Sequence, residues 1–164
     1  MPVPTRVNKG SSVEFVADQF ANGRRFRVLN IVDDYSRDCV AQIIDFSMSG
    51  LRLALESDRL AASRKLPKTV VCDNEPELTW EAMFVWSGRH MTKLHFVWPG
   101  KPTQNAFVES DNGKFRECCL NLHCLKIISD ARSTIEDWRQ HYNHVRPHRS
   151  PGRKPPALFA RKAA

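Results

Sequence analysis

Residues 13–46 read VEFVADQFANGRRFRVLNIVDDYSRDCVAQIIDF, and this stretch decides the fold. It holds three runs rich in β-branched and aromatic residues, at 13–17, 25–32 and 40–46. Asn22-Gly23 separates the first two runs, and Asp33-Asp34-Tyr35-Ser36 the second and third. That is turn chemistry between strands, so the stretch predicts an antiparallel three-strand meander.

Downstream the period changes. From Ser49, a candidate N-cap, to about Arg64, the residues Leu51, Leu53, Leu55, Leu60 and Ala61 sit among charges in a helical pattern, with Pro67 beyond its end. A short apolar strand at 69–72 stops at Asp73, a helical stretch covers 80–90, and a further strand at 94–98 stops at Pro99-Gly100. The whole order predicts a mixed α/β sheet, an antiparallel meander plus parallel strands, with helices on both faces. A helix from about 106 to 123 is capped by Thr103 or Asn105, and a last one, 130–144, carries Ile135, Trp138 and Tyr142 on one stripe. Pro147, Pro151, Pro155 and Pro156 then forbid regular helix. The expected division is a leader at 1–11, a core at 12–146 and a basic, proline-rich tail at 147–164.

The 164 residues suit one domain, with 41% hydrophobic and 26% charged residues. No apolar run reaches the roughly 20 residues that cross a bilayer, and the first ten residues have no signal-peptide core. Five cysteines, two of them adjacent, do not make a secreted disulfide framework, so a reducing cytoplasm is expected. The net charge of +7 lies entirely at the end: residues 138–164 contain no acid and seven bases, while those before them balance. Such a tail suits a polyanion, because each neutralised phosphate releases counterions; a solvated, solubilising end is the plainer alternative.

Three acids stand where they could converge. Glu14 lies in the first strand, Asp73 ends the strand at 69–72, and Glu109 lies in the first turns of the helix after Asn105. Such a triad can bind two divalent ions about 3.5–4 Å apart on a phosphodiester. Mg²⁺ suits it, since it accepts few carboxylates and completes its shell with water and phosphate oxygens. Glu109, Asn112, Gly113 and Arg116 share one helix face, with Arg116 about 10 Å along the axis from Glu109. A half-exposed helix with a routine charge pattern would show the same spacing.

The run Lys101-Pro102-Thr103-Gln104-Asn105-Ala106-Phe107-Val108-Glu109-Ser110, followed by Asn112-Gly113 and Phe115-Arg116, resembles the third motif of insertion-sequence DDE transposases with a retroviral-integrase-like core. Thirty-five residues separate Asp73 from Glu109, the spacing of the main group of that family. Val32-Asp33-Asp34-Tyr35-Ser36-Arg37, Asp73-Asn74 with Pro76-Glu77, and Tyr142-Asn143 with Arg146-Pro147-His148 resemble its other signatures in order. The resemblance implies an RNase H-like fold and transposition, in which water cuts a DNA strand at the element's end and the freed 3′-hydroxyl attacks a second phosphodiester.

It also implies catalytic and metal-binding roles for Glu14, Asp73 and Glu109, with Mg²⁺ or Mn²⁺, two ions once DNA is bound. DNA contacts are expected at Arg116, Lys114, Lys101, Arg146 and Arg149. The implied partners are DNA, as element ends and target, further copies of the chain, and an upstream helix-turn-helix protein, at the nucleoid of a bacterial cytoplasm. Relative to the family, Glu14 replaces an aspartate, Glu75 a glycine, Asp111 an aromatic, Cys118 an acid and Pro151 a leucine. The added methylene at position 14 shifts a carboxylate by about 1 Å, enough to slow a positioned site.

Other constellations are weaker. Cys118, Cys119, His123 and Cys124 lack the two-residue gap of paired zinc ligands, and 73–77 lacks the glycine of a calcium loop. Asp33 and Asp34 are alternatives to Glu14, whereas Asp18, on its strand face, lies about 13 Å away. A catalytically inactive remnant that still binds DNA, and a small basic RNA-binding module, are the competing functional readings.

Overall fold

The computed structural model describes residues 4–79, 81–98, 105–148 and 152–163. Three antiparallel strands open the chain: β1 (Gly10–Gln19), β2 (Arg25–Asp33) and β3 (Cys39–Asp45). Gly23, at φ 81°, supplies the left-handed residue in the first connection. Helix α1 (Gly50–Ser63) follows, its Arg52 amide donating to the Ser49 Oγ at 3.2 Å. Then come β4 (Thr69–Cys72), α2 (Glu81–His90) and β5 (Lys93–Phe96), both strands parallel to β1. The sheet order is β3-β2-β1-β4-β5, the mixed sheet expected, with β1 in the middle.

Because successive residues of a strand point to opposite faces, the sheet has two cores. On one face Val13, Leu29, Cys72 and, partly buried, Phe15, Ile31 and Ile43 meet Leu53 of α1 and Met83 and Trp86 of α2. On the other, Val16, Val28 and Ile44 form a cross-strand row under α3 (Ala106–Cys118) and α4 (Ile128–His144), against Phe115, Ala131 and Ile135. Helices therefore cover both faces, as the sequence predicts.

Three expectations need correction. The helix starting at Ala106 ends at Cys118, and a single 3-10 turn, Leu120–Leu122, takes its place. Cys119, Leu120 and Leu125, in and after this turn, all enter one core cluster. The His123 ring also bonds the Cys119 carbonyl at 2.8 Å, taking up an acceptor at the helix end. Asn105 precedes α3 without a side-chain cap, and Thr103 lies outside the described residues. Third, the prolines do not end regular structure, since α5 (Pro156–Ala163) is helical. Proline in the first turn loses only an N–H that has no intrahelical partner. Phe159 of α5 packs on Tyr35, ring centroids 5.3 Å apart, so the tail folds back on the body.

Candidate active site

Strand register builds the site. Val13 pairs with Cys72 across the parallel β1–β4 ladder, so Glu14 and Asp73, each one residue further on, emerge side by side at the carboxyl end of β4. Across the antiparallel ladders Glu14 pairs with Asn30, and Asn30 with Gln42. Directly opposed residues project to the same face, here the face beneath α3. The result is a polar row, Gln42–Asn30–Glu14, beside the apolar row Val16–Val28–Ile44.

Helix α3 completes the row. Asn112, on the face it shares with Glu109 and Arg116, donates from Nδ2 to Glu14 Oε2 at 2.9 Å. Asn30 donates from Nδ2 to Asn112 Oδ1, and Gln42 donates from Nε2 to Asn30 Oδ1 at 2.8 Å. Asn30 is 0% exposed, and an unpaired amide there would be costly. The three amides therefore form a directed chain that ends on Glu14 and fixes its orientation. Sequence reasoning missed Asn30 and Gln42; the one signal for Asn30 is an asparagine within the otherwise apolar run Val28–Val32 of β2, and Gln42 has none.

The three acids share one electrostatic field. Burial, then the charge of Glu109, then that of Asp73 push the Glu14 carboxyl up to about 7, against the Asn112 hydrogen bond and the charge of Arg116. Burial also raises Asp73, opposed by the Glu75 amide, which donates to Asp73 Oδ1 at 3.3 Å, and by Arg27. Arg27 pairs with Glu75 at 3.3 Å and with Glu77, and its guanidinium lies 3.9 Å over the Phe15 ring. The acid that replaces glycine after Asp73-Asn74 thus has a fixed counter-ion, and Arg27 anchors the loop that carries Asp73.

The site residues fit a hard divalent cation in donor chemistry, since all three offer carboxylate oxygens and their repulsion is what such an ion would relieve. Among the described residues, no group of three His, Cys, Asp or Glu side chains is drawn tightly enough to hold a metal ion unaided. Asp33 and Asp34 are committed elsewhere. Asp33 Oδ1 accepts from the Ser36 amide and hydroxyl, both at 2.8 Å, and Asp34 Oδ1 from the Ser12 hydroxyl at 2.6 Å.

The basic residues expected on DNA divide. Arg116 is exposed beside the carboxylates and reaches the Ala17 carbonyl at 3.4 Å. Lys114 points to the other side of α3, its Nζ 3.4 Å from His148 Nδ1, and Arg146 Nη1 lies 3.1 Å from Cys118 Sγ. Lys101 and Arg149 lie outside the described residues. Asn143, from the C-terminal signature, ties α4 to the edge strand: its side chain accepts from the Cys39 amide and donates to the Cys39 carbonyl, each at 2.9 Å.

A five-stranded mixed sheet with one acid midway along its central strand, a second just past the end of the neighbouring parallel strand and a third on the covering helix has the RNase H-like fold of integrase cores. The chain belongs to the integrase core domain family, whose profiles match residues 4–102 and 90–156. It is 46% identical over 149 residues to the "Insertion element IS476 uncharacterized 39.2 kDa protein" of Xanthomonas euvesicatoria, covering 91% of this chain and 43% of that protein. It is 41% identical over 162 residues to the "Insertion element IS407 uncharacterized 31.7 kDa protein" of Burkholderia multivorans, covering 99% of this chain and 58% of that one. The chain therefore spans about half the length of these relatives.

Among solved structures, a chain of the simian T-cell lymphotropic virus intasome in complex with PP2A regulatory subunit B56 gamma superposes with a TM-score of 0.82 at 14% identity, over 98% of this chain and 56% of that one. The HTLV-2 integrase catalytic core domain in complex with magnesium, in a dimeric form, superposes with a TM-score of 0.71 at 12% identity, over 95% of this chain and 98% of that one. These likenesses concern the fold. No helix among the described residues is long and apolar enough to cross a membrane.

Proposed function

We propose that this chain is the catalytic core of an insertion-element transposase, cutting and joining DNA strands with divalent ions held at Glu14, Asp73 and Glu109. The observation that carries the reading is the shared field of these carboxylates: register sets Glu14 beside Asp73, and Glu109 is near enough that its charge helps push Glu14 up to about 7. Mg²⁺ or Mn²⁺, two ions with DNA bound, would supply the charge that activates the attacking oxygen and stabilises the leaving one. The loose grouping of the acids suits a site whose coordination is completed by substrate phosphate oxygens.

The chain's own residues have distinct tasks in this reading. Asn112, aligned by Asn30 and Gln42, holds one oxygen of Glu14; Arg27 holds the loop of Asp73; Arg116 offers a cation to the neighbouring phosphate. Element-end and target DNA are the substrates, and the working form is a multimer. One structural neighbour is a dimeric catalytic core in complex with magnesium and the other is part of an intasome, which supports the metal and the assembly. An upstream helix-turn-helix protein or region would recognise the ends, in a bacterial cytoplasm at the nucleoid.

The test is strand cleavage and transfer on element-end DNA with Mg²⁺ or Mn²⁺, the recognition region being supplied. Activity that Asp73→Ala and Glu109→Ala each abolish is expected; products unchanged by both substitutions refute the reading. One observation favours a second reading, an inactive DNA-binding core: Glu14 is a methylene longer than the family's aspartate and carries a raised pKa. Activity appearing only in Glu14→Asp would establish that alternative.

A further inference from the structure

Six arginines among the described residues are half-buried. Four of them have a carboxylate beside them: Arg27 meets Glu75 at 3.3 Å, Arg52 meets Glu56 at 3.2 Å, Arg64 meets Asp38 at 3.7 Å and Arg139 meets Glu136 at 2.7 Å. The other two, Arg37 and Arg146, are in no ion pair. Both line one cavity of about 470 Å³, on the side of α3 away from the carboxylates, between that helix, the end of α4 and the turn after β2. Lys114, the one half-buried lysine among the described residues, lines it too and is likewise in no ion pair. It stands five residues beyond Glu109, about 140° round the helix.

The contacts these cations do make carry no negative charge. The Arg37 guanidinium lies 3.3 Å over the Phe107 ring, Arg146 Nη1 is 3.1 Å from Cys118 Sγ, and Lys114 Nζ is 3.4 Å from His148 Nδ1. Burial, and the charges of Arg146 and Arg37, push the Lys114 ammonium down against the pull of Asp111. Asp111 is the single acid on the wall; it is 2% exposed, and its carboxylate accepts from the Tyr142 hydroxyl. His148, pushed down to about 4 by burial and by the charge of Lys114, adds no charge near neutral pH. Three cations around one acid leave the wall positive. A charge drawn out of water without a partner is costly, so the partner of this set is an anion from outside the chain.

The surroundings favour a chain of anions over a single one. The tail that carries the net charge is held against this cavity: the His148 amide donates to the Lys154 carbonyl at 3.3 Å, the Arg153 amide to the His148 carbonyl at 2.9 Å, and Phe159 of α5 packs on Tyr35, two residues before Arg37. Arg153 and Lys154 are exposed beside His148. Helix α3, about 10 Å across with its side chains, separates the cavity from Glu109, a distance that a DNA strand covers in about three nucleotides at 3.4 Å each.

We propose that the cavity seats one backbone phosphate of bound DNA on Arg37, Lys114 and Arg146, with Arg153 and Lys154 beside it for the neighbouring phosphates. The proposal rests on the DNA-joining reading above and deepens it, since the substrate backbone then meets α3 on both sides, at Arg116 and at the cavity. Arginine forks match phosphate oxygens two at a time.

Fluorescence anisotropy with a labelled duplex, read over about 0.05–0.2 M salt, tests it. Loss of one phosphate contact should flatten the plot of log affinity against log salt by about 0.9, which amounts to about eightfold weaker binding at 0.1 M relative to 1 M. Lys114→Gln/Arg146→Gln is expected to show both changes. Lys68→Gln/Lys93→Gln, which removes as much charge from exposed positions at the opposite ends of β4 and β5, should show neither. Inorganic phosphate replacing chloride at constant ionic strength should leave the unaltered chain's DNA affinity within about twofold; displacement of the DNA by it would make this a site for a single small anion and overturn the proposal. Without DNA, Lys114→Gln, which still offers a donor to His148, should melt no lower than the unaltered chain. A lower melting temperature would mean that the ammonium already has its partner within the fold, and it too overturns the proposal. If the duplex does not bind the unaltered chain, the DNA-joining reading fails and the phosphate site with it; if it binds but both double variants change the slope alike, or neither does, only the phosphate site fails.

Discussion

Replacing Glu14 by glutamine should stabilise the metal-free protein, and only above a definite pH. In the folded chain burial and the charges of Glu109 and Asp73 hold the Glu14 carboxyl at about 7, against its ordinary 4.5. The folded state therefore binds more protons than the unfolded state between those two values, and stability falls as pH rises through that window. Above it, the full gap would cost about 3 kcal/mol at 1.36 kcal/mol per pH unit. Glu14 is only half-buried, and solvent screening on its open side reduces this to about 1–2 kcal/mol.

Glu14→Gln keeps the acceptor for Asn112 and removes the charge. Its melting temperature at pH 8 should exceed that of the unaltered chain by about 2–8 °C for a domain of this size, and the two should coincide near pH 4. Asp34 and Asp111, both pushed up to about 6, contribute to each curve alike, so the difference between curves isolates position 14. Saturating Mg²⁺ should raise the unaltered chain more at pH 8 than at pH 6 and raise the variant less at either pH. A variant no more stable than the parent at pH 8, or a Mg²⁺ response identical in the two, would refute the reasoning.

Asn30→Leu removes the middle of the amide chain and orphans Asn112 Oδ1 and Gln42 Nε2; about 1–3 kcal/mol of stability should be lost, with kcat for strand cleavage falling while DNA affinity holds. An unchanged kcat would show that Asn112 needs no support. Asn143→Ala removes the side-chain acceptor of the Cys39 amide at a buried strand start, while Arg139 Nη1 still donates to the Cys39 carbonyl at 3.0 Å, and should cost about 1–3 kcal/mol in urea unfolding. Arg27→Gln releases Glu75 and Glu77 beside Asp73, and the expected outcome is weaker Mn²⁺ binding by calorimetry at unchanged DNA affinity; equal Mn²⁺ affinity would contradict the anchoring role.

The sheet was legible because each of its strands announces itself locally. The strand at 69–72 is bounded as the sequence predicts, since proline and aspartate flank a short apolar run. The three candidate acids were singled out through motif spacing, which gives where they stand along the chain; that Glu14 lies beside Asp73 follows only from the β1–β4 register. The polar row was not legible, because Asn30 meets Glu14 and Gln42 only once two cross-strand registers are set, and those depend on the whole meander. The division of Lys114 from Arg116 follows helical phase but needs the identity of the neighbours on each face. The end of α3 at Cys118 and the late helix α5 reflect tertiary demand: Leu120 and Leu125 must reach the core, and Phe159 finds Tyr35.

The most direct measurement is the anomalous-scattering map of crystals grown with Mn²⁺ and short duplex DNA. The account predicts manganese peaks bonded to carboxylate oxygens of Glu14, Asp73 and Glu109 and to a phosphate oxygen. Manganese bound elsewhere, or DNA in place with no metal at these three side chains, would contradict it.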